Sequence, residues 1–187
     1  MPLKKIVVIG PESTGKSSLC KELAKHYHTL WCPEFAREYL LKHGTHYSYQ
    51  ELLTIAKGQI ESEDEFIAKL EQSNKENDKG NQHRLLFIDT DMYVMKVWCE
   101  YVFNSCHPWI LEQIASREYD LYLLCSTDLP WVADELREYP DLETRERLFR
   151  WYRETMISQD IPWTVINGNY EERLEKAILA VDRLKAS

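Results

Sequence analysis

The chain has no C-x-x-C pair, no apolar run of about 18 residues, no low-complexity tract and no internal repeat. Its five cysteines, Cys20, Cys32, Cys99, Cys106 and Cys125, are odd in number and scattered. That argues against a disulfide framework and against structural zinc, and for reduced thiols in a cytosolic protein. With no leader and no long apolar run, neither export nor a membrane partner is expected, and the expected location is the cytoplasm. Positive charge is also short: 23 Lys and Arg stand against 31 Asp and Glu, a net charge of −8. A broad nucleic-acid footprint is therefore not expected. A small anionic ligand is still compatible, because one site can be basic in an acidic protein. No linker divides the 187 residues, and 44% apolar with 29% charged content suits one domain, 1–187, with a sizeable core.

What is present is concentrated near the start. Residues 10–17 read Gly-Pro-Glu-Ser-Thr-Gly-Lys-Ser, a complete G-x-x-x-x-G-K-S/T phosphate-binding loop. It follows the apolar run Lys5-Ile6-Val7-Val8-Ile9 and opens a helical pattern from Ser17 to Tyr27. A buried strand, a glycine turn and a helix N-terminus aim backbone N–H groups at a phosphate. The pattern predicts a nucleoside triphosphate, ATP in the reading below, with Mg²⁺. Gly10 and Gly15 let the backbone wrap the β-phosphate, Lys16 carries a point charge to the β/γ oxygens, and Ser17 offers its hydroxyl to the metal. Pro11, Glu12, Ser13, Thr14 and Ser18 complete the loop. For Ser13, Thr14 and Ser18, local capping competes with ligand contact.

Strand and helix patterns alternate along the rest of the chain. Strands are expected at Lys4–Ile9, Thr29–Cys32, Arg84–Asp89, Leu121–Cys125 and Trp163–Asn167. Helices are expected near 16–27, 34–43, 48–77, 91–104, 108–117, 143–159 and 170–185. Short apolar strands with helical crossovers imply an α/β fold. The expected architecture is a three-layer P-loop NTPase: a five-stranded parallel sheet, helices on both faces, and a kinase-like lid at about 128–147. The polar stretch Glu71–Gln82 reads as solvated loop or frayed helix. Leu52, Ile55, Ile60, Phe66, Ile67 and Leu70 are spaced for a helix. They pack on the core or on a second copy of the chain, which leaves a homo-oligomer open. The same region is also where an acceptor would sit.

The third strand ends in Ile88-Asp89, followed by Thr90-Asp91. An acid at a strand's C-terminal end beside the phosphate loop can hold magnesium or its water shell, and Asp89 is the candidate. Asp91 either reaches the acceptor or caps the next helix. Thr90 stands where water-activating ATPases usually place a glutamate, which speaks against hydrolysis. Glu34 follows the second strand and could accept a proton from an attacking hydroxyl. Arg37, one turn on, could grip a phosphoryl oxygen or hold Glu34; the bland alternative is a helix-start acid with a surface ion pair.

Beyond Cys125, an arginine-rich stretch could close over the phosphates and exclude water, with Arg137 and Arg145 the candidates; otherwise it is a surface helix. Trp98, Tyr101 and Phe103 share a helical pattern; they pack in the core, or Trp98 or a nearby Tyr stacks on an acceptor base. Asn167-Gly168-Asn169-Tyr170 either touches adenine or forms a turn and a cap. The six histidines form no convincing site.

GPESTGKS, the PEFAREY segment, the IDTD strand end and the PW-x-x-D-x-x-R segment together resemble the ribosylnicotinamide kinase domain of NadR-type proteins, from Lys4 to about Leu184. The resemblance implies ATP-dependent phosphorylation of a nucleoside 5′-hydroxyl, converting nicotinamide riboside to nicotinamide mononucleotide. It also implies that Glu34, Arg37, Asp89 and Asp91 surround acceptor and magnesium. In that family an adenylyltransferase domain precedes the kinase. These residues contain no counterpart, which leaves a separate adenylyltransferase open as a partner. Glu135 stands where the family's lid usually carries glycine.

Two function classes therefore stand. One is a kinase in which Lys16 and Ser17 cradle the phosphates and metal, Glu34 or Asp91 is the base and Arg137 closes the lid. The other is an ATP-binding regulatory module or ATPase that transfers nothing. A guanine-reading N-K-x-D is absent; the nearest string is Asn74-Lys75-Glu76-Asn77. The acidic 33–70 segment speaks against a nucleoside monophosphate as acceptor, although a kinase for another nucleoside or nucleotide remains an alternative.

Overall fold

The computed structural model describes residues 3–76 and 85–186. The elements run β1 (Lys4–Ile9), α1 (Lys16–His26), β2 (Leu30–Cys32), α2 (Phe35–His43), α3 (Tyr49–Glu76), β3 (Leu85–Asp89), α4 (Met92–Phe103), α5 (Pro108–Ser116), β4 (Leu121–Cys125), α6 (Leu142–Ile157), β5 (Trp163–Ile166) and α7 (Tyr170–Ala186). The strands form one sheet in the order β2-β3-β1-β4-β5, every pairing parallel.

Side-chain alternation along β1 sorts the core. Ile6 and Val8 face a cluster that includes Leu19 and Leu23 of α1 and Ala177 and Val181 of α7. Val7 and Ile9 face the other side, with Leu70 of α3, Val94 and Val97 of α4, and Leu148 and Tyr152 of α6. The sheet is thus covered on both faces, which is why its strands read as continuous apolar runs. A third cluster joins α2, α3, α4 and α5 around Leu52, Ile55, Met95 and Ile110.

Register fixes the site. Val8 pairs with Asp89 and Ile9 with Leu124, so β1, β3 and β4 end together. After β1 the chain turns first to one side of the sheet and then to the other, which opens a crevice at the strands' C-terminal edge. At the opposite edge, buried Glu63 of α3 accepts from Tyr119 Oη (2.9 Å) and Arg117 (3.3 Å). That ion-paired cluster ties the long helix to the start of β4.

Boundaries shift by a residue or two from the sequence reading. Of the polar stretch 71–82, residues 71–76 complete α3 and 77–82 lie outside the described residues, as do His83 and Arg84. Residues 126–141 carry no helix or strand, and α6 starts inside the expected lid range. Among the described residues no helix is long and apolar enough to cross a membrane.

Candidate active site

The phosphate loop needs unusual backbone. Gly10 has φ of +141°, and a Cβ there would lie 2.6 Å from the Cys125 carbonyl oxygen. Only glycine lets the loop pass so close to the end of β4. Thr14 Oγ1 donates to the Pro11 carbonyl (2.7 Å) and Lys16 Nζ donates to the same oxygen (2.9 Å). No side chain caps α1, and its first turn carries no acid. Its N–H groups and positive dipole end therefore stay available to an anion.

Beneath the loop, Ser17 Oγ donates to Asp89 Oδ2 at 2.5 Å. Asp89 is fully buried, and its second oxygen, Oδ1, has no hydrogen-bond partner. Burial pushes its carboxyl up to about 7, reinforced by the negative charge of Glu34 and opposed by Lys16 and the Ser17 hydroxyl. A hydroxyl and a carboxylate with a spare buried oxygen form a hard oxygen donor set, which fits Mg²⁺.

Glu34 sits at the N-cap of α2 but makes no capping hydrogen bond. Gln59 Oε1 takes that role by accepting from Phe35 N (2.8 Å). The Glu34 carboxylate is left to the crevice. Arg37 does not hold Glu34; it forks onto Asp134 at 3.3 and 2.9 Å.

The crevice is a cleft of about 370 Å³. Gly10, Pro11, Glu12, Ser13, Thr14, Gly15, Lys16, Ser17 and Ser18 form its phosphate-loop wall, and Glu34, Arg37, Trp98 and Arg137 also line it. So does Tyr101, next to Trp98 on α4, and so do Tyr47, Asp134, Tyr139 and Tyr152, which the sequence reading did not place there. Trp98 Nε1 donates to Tyr47 Oη (2.7 Å), and that hydroxyl donates to Glu138 (2.9 Å).

Asp91 is not brought to the cleft. It is buried and caps α4, accepting from Tyr93 N (3.0 Å), Val94 N (3.4 Å) and Tyr122 Oη (2.7 Å). Burial pushes its carboxyl up to about 7 despite those three donors. Arg145 is not a lining residue either. It is buried on α6, and its Nε and Nη1 have no hydrogen-bond partner. It shares a face with Leu148 and Tyr152, which do line the cleft.

The segment 126–141 is strapped to the loop it covers. Glu12 accepts from Glu138 N (3.0 Å) and Tyr139 N (2.5 Å), and Ser13 Oγ accepts from Val132 N (3.0 Å). Arg137 donates to the Val132 carbonyl. After β5, Asn169 Oδ1 caps α7 by accepting from Glu171 N and Glu172 N, both at 3.0 Å. Nothing in the sequence signalled the bonds of Glu12 and Ser13 to the strap, because each joins residues over a hundred positions apart.

The family model for the AAA domain (AAA_28) matches residues 5–173. The chain is similar to the trifunctional NAD biosynthesis/regulator protein NadR of Escherichia coli, 26% identical over 181 residues, 94% of this chain and 41% of that protein. It is equally similar to the NadR of Salmonella typhimurium, 26% identical over 187 residues, 97% of this chain and 43% of that protein. The chain thus spans less than half the length of these relatives. A crystal structure of NadR protein in complex with NR superposes with TM-score 0.75 at 21% identity, over 99% of this chain and 50% of that one. Thymidylate kinase from Ehrlichia chaffeensis superposes with TM-score 0.63 at 14% identity, over 96% and 100%. The fold is shared with NadR and with thymidylate kinase, and the resemblance to NadR-type proteins read from four sequence blocks extends over the chain.

Proposed function

The chain belongs to the AAA domain family, and we propose that it is an ATP- and Mg²⁺-dependent kinase that phosphorylates a nucleoside 5′-hydroxyl, with nicotinamide riboside as acceptor. One observation carries this reading: a single cleft joins the phosphate loop to Glu34 and to an aromatic wall of Tyr47, Trp98, Tyr101 and Tyr139.

The chemistry follows from the lining. Lys16 and the N–H groups of α1 hold the β- and γ-phosphates of ATP. Bound Mg²⁺, with Ser17 and Asp89 as its protein ligands, would offset charge on the phosphate oxygens. Glu34, the uncommitted carboxylate of the cleft, takes the acceptor hydroxyl's proton. The hydroxyl oxygen bonds to the γ-phosphorus, the bond from γ-phosphorus to the bridging oxygen breaks, and ADP leaves. Arg137 meets developing charge at the cleft. The strap at 126–141 keeps water out.

The acceptor assignment rests on charge and shape. Aromatic faces beside Glu34, Asp134 and Glu138 suit a flat cationic base such as a pyridinium. A monophosphate acceptor would need free cations, and Arg37 is engaged by Asp134. The NadR named above was solved with NR, which favours the same acceptor.

Mass-spectrometric product analysis tests the reading. The protein is incubated with ATP and Mg²⁺ against nicotinamide riboside, common nucleosides, their monophosphates and no acceptor, with Lys16→Ala as contamination control. Nicotinamide mononucleotide formed only with intact Lys16 is the expected result. A different phosphorylated nucleoside would retain the kinase and replace the acceptor. ADP formed equally without acceptor, or ATP bound with no product, would replace the kinase with an ATPase or a nucleotide-gated module.

A further inference from the structure

Arg173 lies on α7, outside every motif, yet it is 2% exposed and sits behind the phosphate loop. Its guanidinium reaches three loops at once. Nε donates to the Gly168 carbonyl (2.7 Å), Nη1 to the Thr14 carbonyl (2.8 Å), and Nη2 to the Ser126 carbonyl (3.0 Å). Nη2 also pairs with the Asp128 carboxylate. Asp128 Oδ2 in turn accepts from Gly168 N (2.5 Å). One buried fork thereby ties the phosphate loop to the segment after β4 and the turn after β5.

The bond to Thr14 bears on ligand binding. A trans peptide unit is planar, with its C=O and N–H pointing in opposite directions. The Thr14–Gly15 unit has its carbonyl held by Arg173 behind the loop. Its N–H, on Gly15, therefore points to the other side, where Gly15 lines the cleft. Nothing in Gly15 itself enforces this. It has φ of +78°, and glycine takes either sign of φ at similar cost. Flipping this peptide would turn a carbonyl oxygen toward bound phosphates and remove an N–H donor. The neighbouring bond from Thr14 Oγ1 to Pro11 fixes the side chain, not the peptide plane.

We propose that Arg173 is a positioning residue that locks the Thr14–Gly15 peptide with its N–H facing the nucleotide phosphates. The inference rests on the reading of the cleft as a nucleoside triphosphate site. Lysine cannot replace the fork, since one ammonium cannot reach three carbonyls in three directions.

Calorimetric titration with ADP and Mg²⁺ tests this, because it requires no acceptor. Arg173→Lys is expected to weaken the ADP Kd by about ten- to a hundredfold with unchanged stoichiometry. A merely structural arginine would lower the fraction of competent protein and leave Kd as it was. Asp128→Asn, at a partly exposed position, guards against misfolding of the first variant; its expected weakening is about threefold, in the same direction. A folded Arg173→Lys protein with wild-type Kd overturns the lock. If that variant does not fold, a wild-type Kd in Asp128→Asn overturns it instead. Absence of ADP binding by the unaltered chain would overturn the nucleotide reading itself, and the lock with it.

Discussion

In the proposed kinase, the phosphate end of the cleft is made of backbone, whereas the acceptor end is made of side chains. At the phosphate end, nine consecutive residues, Gly10 to Ser18, line the cavity through a turn and a helix N-terminus. At the acceptor end, Glu34, Tyr47, Trp98 and Asp134 arrive from separated stretches of chain and meet only in the folded molecule. Backbone recognition needs a local conformation that a short string can encode. Side-chain recognition needs a tertiary arrangement and can change residue by residue. The phosphate end should therefore fail completely when its one point charge is lost, and the acceptor end should fail by degrees.

Lys16→Ala gives the largest expected effect. In the proposed reaction it removes the cation that meets the transferring phosphoryl, and kcat/KM should fall by about a thousandfold or more, near 4 kcal/mol. The fold should persist, since Lys16 Nζ is bonded only to the Pro11 carbonyl of its own loop. Steady-state kinetics and a melting curve together decide it; a loss of less than tenfold would break the contrast between the two ends.

Glu34→Gln comes next, with kcat expected to fall by about a hundred- to a thousandfold and the KM for ATP to hold. The split between the two constants is the measurement. An equal rise in the KM for ATP would move Glu34 from the acceptor end to the phosphate end.

Asp91→Asn marks where the acceptor end stops. Asparagine can still accept from Tyr93 N and Val94 N and donate toward Tyr122. The Asp91 carboxyl is raised to about 7 by burial, above its unfolded value. The folded state therefore holds a proton that the unfolded state has lost, and the stabilisation is lost as pH rises through about 7. Relative to Asp91→Asn, the wild type should lose on the order of 3 kcal/mol between about pH 5 and about pH 8. Denaturant melts of both proteins across that range give the difference, in which the titration of Asp89 cancels. Parallel curves would mean that Asp91 is ionised throughout and would return it to the list of candidate bases.

Trp98→Ala should raise the KM for the acceptor about tenfold and leave that for ATP unchanged. Equal effects on both substrates would make Trp98 a packing residue shared by the two ends.

The same contrast explains what was legible in the sequence. The five strands and the phosphate loop were, because apolar runs and a contiguous motif carry them. Asp89 was placed beside Ser17 because strand ends in such sheets converge. Asp91 was ambiguous: a residue two past a strand end can cap or catalyse, and only the position of Tyr122 on β4, two strands from β3 in the sheet, settles where its second oxygen goes. Glu34 was ambiguous in the same way until Gln59, on another helix, took over the cap of α2. Arg173 was invisible, since one arginine on the polar pattern of a C-terminal helix looks like any surface charge. Its partners, Thr14, Ser126 and Gly168, become neighbours only through the order of the strands.

Asp134→Ala gives the smallest expected effect, and it asks whether the two ends communicate. The Arg37–Asp134 fork joins α2 to the strap, and the strap is pinned to the phosphate loop by Glu12 and Ser13. Arg37 is about half exposed, so the pair should contribute less than about 1 kcal/mol to stability. Its worth should appear in coupling instead. With the fork cut, bound acceptor can no longer help hold the strap over the phosphates. The affinity for ADP measured with saturating acceptor should then approach the affinity measured without it, whereas in the wild type each ligand should tighten the other. Because coupling is reciprocal, titrating the acceptor with and without ADP must give the same factor. A wild-type protein without coupling would mean that the ends act independently and that the strap serves only to exclude water.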